Sequence, residues 1–460
     1  MNIFKYNLKY LCLTEDGFMQ KTNIRIKLYA SKKFIFSIIK TKLCEIFPNL
    51  PRKIILFLES LFYIETYFIK LLEFLQPFFP KDTYVLMDNL YEKTASCIDT
   101  YAIHKYMQKH NMRSYYVIWK ENISYKKIKN ESKNLIGLNI HTTTPLSTFE
   151  FIRKTFFAFL RCKYIVCSFH ASIPTRIRTH LLKNKHICVI GIGHGPVLLK
   201  TLVFNTPNCQ ENHWNKYLVT NNIEKKLFLD HGWNENKLVC CSLPRYDYCK
   251  KTPQDRKKIF VFFTWRLTFR RSQELFDKSL YIKNMTSFVK NKELNEILTK
   301  TNTDIVLGIH HATTDLSHLK FPDLPIKIAD SSNLLYEINT ADLFITDYSS
   351  IFFDFAYLGT PCIFYRLDEN DANLSSLDID DRINAKQQDD KIYNIFYDEK
   401  SVIDKIKYYI NNNFELENHY KNKTEKLFYF KENNTKKFVE ILETIQKQEH
   451  KVYVNKTKME

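Results

Sequence analysis

Residues 342–365 read DLFITDYSSIFFDFAYLGTPCIFY: an apolar run, a polar turn, a mixed stretch and a second apolar run within twenty-four positions. Two short strands joined through a helix lie parallel, because an antiparallel pair needs only a hairpin. Crossover helices cover both faces of a parallel sheet, so this one segment commits the chain to a buried, helix-flanked sheet. Its turn places Thr346, Asp347, Ser349 and Ser350 where a phosphate loop often carries glycine, in a chain with only 8 Gly among 460 residues.

The same rhythm extends upstream. TYVLMDN, SYYVIWK, KYIVCS, HICVIGIG, KYLVTN and KLVCCS read as strands, with TASCIDTYAIHKYMQKH and NIEKKLFLDHG as helices. After the polar stretch KKTPQDRKK it restarts, with IFVFFT, DIVLGIH, DLFITD and PCIFY as strands and SFVKNKELNEILTK and SNLLYEINTA as helices. Short apolar runs alternating with helical patterns mark parallel α/β structure. Two such runs predict two doubly wound domains, 81–252 and 253–445, the second ending in helices over 400–446. A Lys-rich polar tail, 446–460, is expected to fray.

Residues 1–80 stand apart as a basic, helical appendage. Residues 1–53 hold eleven Lys or Arg against three Asp or Glu, a net of +8 within a chain of net charge +18. Such a field attracts polyanions or an anionic membrane face. The most apolar stretch, 54–80, is interrupted by Glu59, Glu65, Lys70 and Glu73, and Glu59, Thr66, Lys70 and Glu73 fall at spacings of 7, 4 and 3, one polar stripe on an amphipathic helix. A spanning helix wants roughly 20 nearly uncharged residues. The stretch is therefore read as packing on the next domain or docking at a membrane surface. No signal peptide is evident, and the 11 Cys show neither a CxxC pair nor zinc spacing, which fits a cytoplasmic chain with reduced thiols.

In open α/β sheets ligands bind beyond the carboxyl ends of the strands, and the chemistry-bearing residues cluster there. The hydroxyls of Thr346, Ser349 and Ser350, with the unpaired amides of the following helix start, make a candidate anion site around Asp347. VIGIGHGPVLLK exposes His194 between Gly193 and Gly195 at a strand end, a candidate general base. DIVLGIHHATTD ends another strand at His310 and His311, with His310 favoured to face the cleft. CSLPRYDY supplies Arg245 and Asp247, and FFTWR supplies Arg266, guanidinium groups suited to phosphate. Asp378, Asp380 and Asp381 lack a preceding strand, and no metal site is assigned.

In this order the segments resemble the CDP-glycerol glycerophosphotransferase family, the polymerases and primases of teichoic acids and some capsules. GHG…LLK is similar to that family's HG-T-P-L-K turn, SLPRYDY to its G-x-P-R-x-D, FFTWR to its P-T-W-R, and IHHA to its H-P. ITDYSSIFFDFAYLGTPCIFY resembles its I-T-D-Y-S-S-x-x-F-D signature almost letter for letter. Departures are Ser242 for Gly, Phe263 for Pro, Ala312 for the Pro of H-P, and one extra residue before Lys200. Beyond Tyr365, RLDEN matches only the beginning of the family's D-x-E-x-Y region.

The resemblance implies a glycosyltransferase B-type fold: two Rossmann-like domains, acceptor and nucleotide donor, with the donor in the cleft. It implies transfer of a polyol phosphate from a CDP-polyol donor to a polyanionic or lipid-linked acceptor, on the inner face of the cell membrane. His194 then acts as base and His310 neutralises the diphosphate. Gly195, Lys200, Arg245, Asp247, Arg266, Thr346, Asp347, Ser349, Ser350 and Asp354 fall on the substrate side. No cofactor is required, and a divalent cation is compatible. The alternatives are a B-type glycosyltransferase using a nucleotide sugar, a nucleic-acid-binding protein and a non-catalytic scaffold. No nucleic-acid-binding motif is present, so no nucleic acid partner is expected.

Overall fold

The computed structural model describes residues 67–457 except 88–97, 123, 140–144, 170–171, 194, 200–209, 265, 267–272, 309–325, 330–333 and 370–393. The architecture below lies in the unit Phe68–Glu460; the unit Met1–Tyr67 falls almost wholly outside the described residues.

Two parallel sheets organise it. The first contains β1 (Thr83–Met87), β2 (Ser114–Trp119), β3 (Leu135–Leu138), β4 (Cys162–Cys167), β5 (Cys188–Gly191), β6 (Lys216–Val219) and β7 (Leu238–Cys240). The second contains β8 (Lys257–Phe262), β9 (Thr303–Gly308), β10 (Ile326–Ile328), β11 (Leu343–Thr346), β12 (Cys362–Tyr365) and β13 (Asn394–Phe396). The strand orders are β3-β2-β1-β4-β5-β6-β7 and β10-β9-β8-β11-β12-β13. Both therefore grow outward from a reversal, between β1 and β4 in one sheet and between β8 and β11 in the other, the signature of doubly wound Rossmann-like sheets. The central strands are buried along their length: β1 as TYVLM and β11 as LFIT have no exposed residue.

Helices cover the sheets. They include α1 (Ile98–Lys109), α2 (Tyr125–Glu131), α3 (Pro145–Leu160), α4 (Thr175–Leu181), α5 (Asn222–Asp230) and α6 (Gln273–Lys278). There follow α7 (Leu280–Lys290), α8 (Lys292–Lys300), α9 (Leu334–Thr340), α10 (Phe352–Tyr357), α11 (Glu399–Asn411), α12 (Asn418–Glu425) and α13 (Asn434–Thr457). The sequence predicts one helix over SFVKNKELNEILTK; the chain instead breaks at Asn291, whose side chain accepts from the Leu294 amide and caps α8. The tail expected to fray continues as helix to Thr457. Upstream, α13 packs back onto the first sheet, where the Tyr164 hydroxyl donates to the Leu442 carbonyl at 2.6 Å.

Residues 68–75 are helical and bury Phe68, Ile69 and Leu72, leaving Lys70 and Glu73 exposed as the polar stripe requires. Phe68 meets Phe156 and Phe159 of α3, so this part of the appendage packs on the domain that follows it.

Candidate active site

The polar turn follows β11 at the reversal of the second sheet. Thr346 is fully buried, and its hydroxyl donates to the Phe262 carbonyl at 2.6 Å, tying the end of β11 to the end of β8. Asp347 accepts from the amides of Thr264 and Tyr348. Its second oxygen lies 2.8 Å from Arg266 Nη2. Arg266 also grips both carboxylate oxygens of Asp368 and donates to the Thr264 carbonyl. Its side chain is 1% exposed. The expectation that Thr346, Asp347 and Arg266 present themselves to a ligand is thus revised. They spend their polar groups on one another's loops and make the rigid rim on which the turn rests.

Ser349 and Ser350 are placed differently. The first amides of α10 are taken by the carbonyls of Ser349, Ser350 and Ile351, so the short helix itself offers no free donors there. The amides of Ser349 and Ser350 and the Ser350 hydroxyl have no hydrogen-bond partner among the described residues. The unpaired donors among the described residues therefore belong to the turn rather than to the helix start.

Against this turn comes the loop from the first sheet. Gly193 exits β5 with φ +62°, a left-handed conformation that glycine adopts without strain. A β-carbon built on Gly195 would sit 3.2 Å from Ser350 Oγ and 3.4 Å from Arg245 Nη2. Glycine here lets two sheet edges close on one another. His194, Lys200, His310 and His311 lie outside the described residues.

The loop is held from behind by Glu224, buried in α5. Its carboxylate accepts from the Val197 amide, the Thr220 amide and the Thr220 hydroxyl. Burial pushes the Glu224 carboxyl above the ordinary glutamate value. Asn221 caps the same helix by accepting from the Glu224 amide. The T-N-x-x-E spacing is a capping-box pattern, the signal by which sequence reasoning could have found Glu224.

Arg245 joins the two halves. Its Nε and Nη2 meet the carboxylate of Asp354 at 2.6 and 3.0 Å, and its Nη1 meets Asp99 at 2.7 Å. Burial alone would weaken the guanidinium charge, but Asp354 and Asp99 outweigh it and hold the group well above its ordinary value. Asp99 shifts the other way: burial lifts its carboxyl against the pull of Arg245. Asp354 and Arg245, expected on the substrate side, are a buried clamp whose edge borders the Gly195 loop. Asp247 is further away in role. It caps α13 through the amides of Asn434 and Thr435 and does not face the turn. Asp99 and Asp368, which complete the two ion-pair clusters, carry no recognisable spacing in the sequence.

A further buried guanidinium lies beside the turn. Arg366, directly after β12, is 4% exposed and sits over the Tyr348 ring, 3.6 Å from its centroid. Its Nε and Nη1 have no hydrogen-bond partner among the described residues. Among the described residues no group of carboxylates, histidines and cysteines is arranged to hold a metal ion.

A family model described as CDP-Glycerol:Poly(glycerophosphate) glycerophosphotransferase matches residues 70–445. The chain is 24% identical over 229 residues to the minor teichoic acid biosynthesis protein GgaB of Bacillus subtilis (strain 168), covering 45% of this chain and 23% of that protein. It is 22% identical over 314 residues to a teichoic acid poly(glycerol phosphate) polymerase of the same strain, covering 61% of this chain and 38% of that protein. The chain therefore spans less than half the length of these curated relatives. Among solved structures, the wall teichoic acid polymerase TagF aligns with a TM-score of 0.56 at 18% identity, over 86% of this chain and 98% of that one. A UDP-GlcNAc 2-epimerase from Neisseria meningitidis aligns at 0.51 and 13% identity, over 79% and 99%. These likenesses establish the fold, the glycosyltransferase B-type pairing of two Rossmann-like sheets. With the family match spanning most of the chain, this protein belongs to the CDP-glycerol:poly(glycerophosphate) glycerophosphotransferase family.

Proposed function

We propose that the chain transfers a polyol phosphate, glycerol phosphate foremost, from a CDP-activated donor to a hydroxyl of a polyol-phosphate or lipid-linked acceptor. The acceptor oxygen attacks the phosphorus that bears the polyol, the bond from that phosphorus to the bridging oxygen breaks, and CMP leaves carrying the bridging oxygen. The observation that carries this reading is the approach of Gly195 to Ser350 where the edges of two sheets meet. Phosphoryl transfer depends on positioning and charge stabilisation more than on covalent chemistry. Hydroxyls and amides at Ser349 and Ser350 suit the diphosphate oxygens. In this reading His194 takes the acceptor proton, while His310 and Lys200 neutralise the diphosphate. The two clusters Arg245–Asp99–Asp354 and Arg266–Asp347–Asp368 keep the walls in place. Residues 81–252 form the acceptor domain and 253–445 the donor domain.

The same reading places the protein peripherally at a membrane, where lipid-linked acceptors lie. No described helix is long and apolar enough to cross one. The basic N-terminal residues and the exposed Leu71, Phe74 and Phe78 support surface docking.

The test is to incubate the purified chain with CDP-glycerol, CDP-ribitol and UDP-sugars and assay CMP, UMP and UDP. CMP release from a CDP-polyol is expected, abolished by His194→Ala with nucleotide binding nearly intact. Release of UDP alone would replace the reading with sugar transfer, and loss of binding in His194→Ala would remove that residue from the base role.

A further inference from the structure

Beyond the facing loops, the chain has a second concavity. A cavity of about 640 Å³ opens behind the 3₁₀ turn Pro244–Tyr248, at the end of α10 opposite Ser350. That volume lies within the range of ligand pockets. Its aromatic wall is Tyr246 stacked on Tyr357, with ring centroids 4.5 Å apart and ring planes nearly parallel. The Tyr246 hydroxyl is buried and has no hydrogen-bond partner among the described residues.

The charge around this cavity is lopsided. Lys109, Lys250, Lys431 and Lys436 line it together with His110. Two carboxylates face them, Asp247 and Glu432. Asp247 is committed to capping α13. Lys436 reaches Glu440 only at 3.9 Å, and the other three lysines make no ion pair with a described carboxylate. Lys431 is an exposed residue whose ammonium lies over the rings of Phe428 and Tyr357, at 4.4 and 5.2 Å, and loss of water around it there holds it below the ordinary lysine value. A partly desolvated ammonium with no carboxylate at ion-pair distance gains from an anionic ligand. Aromatic faces beside it suit the carbon backbone of a polyol.

We propose that this cavity binds a phosphate-bearing polyol segment, a subsite for the polymer that is separate from the donor turn. The identity of that segment as the acceptor chain rests on the transferase reading above. Residues Arg245 and Tyr246 are adjacent on one turn, with Arg245 bordering the Gly195 loop and Tyr246 lining the cavity. A bound segment would therefore be held one turn of chain from the reaction site.

The experiment uses the full chain with short inorganic polyphosphate and CDP, measured by calorimetry, on wild type and on K431E/K436E, with K431Q/K436Q as a milder pair. Polyphosphate is expected to bind wild type in the presence of saturating CDP, and to bind the charge-reversed pair at least tenfold more weakly. CDP affinity should be unchanged in both variants. With CDP-glycerol, the variants should raise KM for a poly(glycerol phosphate) acceptor and leave the donor KM alone. Competition between polyphosphate and CDP, or equal polyphosphate affinity in wild type and variants, would overturn the subsite. Loss of binding to anionic phospholipid vesicles with polyphosphate binding intact would reassign the cavity to lipid headgroups and equally overturn it. Intact polyphosphate binding in a chain that releases no CMP would refute the transferase reading alone.

Discussion

At the scale of single residues, two buried arginines that look alike in sequence differ in what surrounds them. Arg245 satisfies two carboxylates, whereas Arg366 meets none among the described residues. Removing one partner of a buried ion pair leaves an uncompensated charge and costs about 3–5 kcal/mol. Arg245→Met should therefore lower stability by about that amount in urea unfolding. Arg366→Met removes a buried cation that meets no carboxylate among the described residues, so it should leave stability unchanged or raise it by about 1 kcal/mol. The same contrast shows the limit of sequence reading. An arginine after a strand can be recognised as an anion ligand, but nothing in the letters says that Asp368 has already claimed Arg266. Ser350, in the proposed site, drew notice because four small polar side chains crowd one turn. Thr346 was equally visible and serves the backbone instead.

At the scale of elements, the interior strands and the edge strand β7 were readable, and the other three edges were not. The strands β3, β10 and β13 close the sheets as LIGL, IKI and NIF, three or four residues each. Strands that short, with β3 and β10 only partly buried, carry no continuous apolar run from which to infer them. The break between α7 and α8 was missed for a different reason. KNKELN carries enough Lys, Glu and Leu to read as helix continuing, and the Asn291 side chain, bonded to the Leu294 amide and to Glu399, turns it into a cap. Asn291→Ala should cost about 1 kcal/mol in thermal or urea unfolding, with CMP release unaffected. A loss of activity without loss of stability would show that the break serves the site.

At the scale of the whole molecule, stability should carry a pH signature from the first sheet. His104 of α1 is fully buried, 2.9 Å from the Ser114 hydroxyl, and burial pushes its pKa down to about 4. The unfolded chain takes up this proton near the ordinary value of about 6.5, while the folded chain resists until about 4. Stability contributed by the neutral imidazole is therefore complete above that ordinary value and lost as pH falls toward the folded one. The loss amounts to about 3 kcal/mol at most. Unfolding free energies of wild type and His104→Gln should converge by up to that amount between pH 6.5 and 4; parallel curves would contradict it.

The two-sheet plan was legible because a repeated apolar rhythm survives any rearrangement of loops. How the sheets meet was not, since it rests on contacts such as Arg245–Asp354, 109 positions apart. That meeting is the core of the functional account, and a cross-link reads it most directly. A β-carbon on Gly195 would lie 3.3 Å from Ser350 Cβ, close to disulfide spacing. Mild oxidation of the Gly195→Cys/Ser350→Cys double variant, followed by mass spectrometry of non-reduced peptides, should show the 195–350 bridge forming nearly completely, with CMP release blocked until reductant is added. Two thiols that remain free under oxidation would mean that the loops do not share one site.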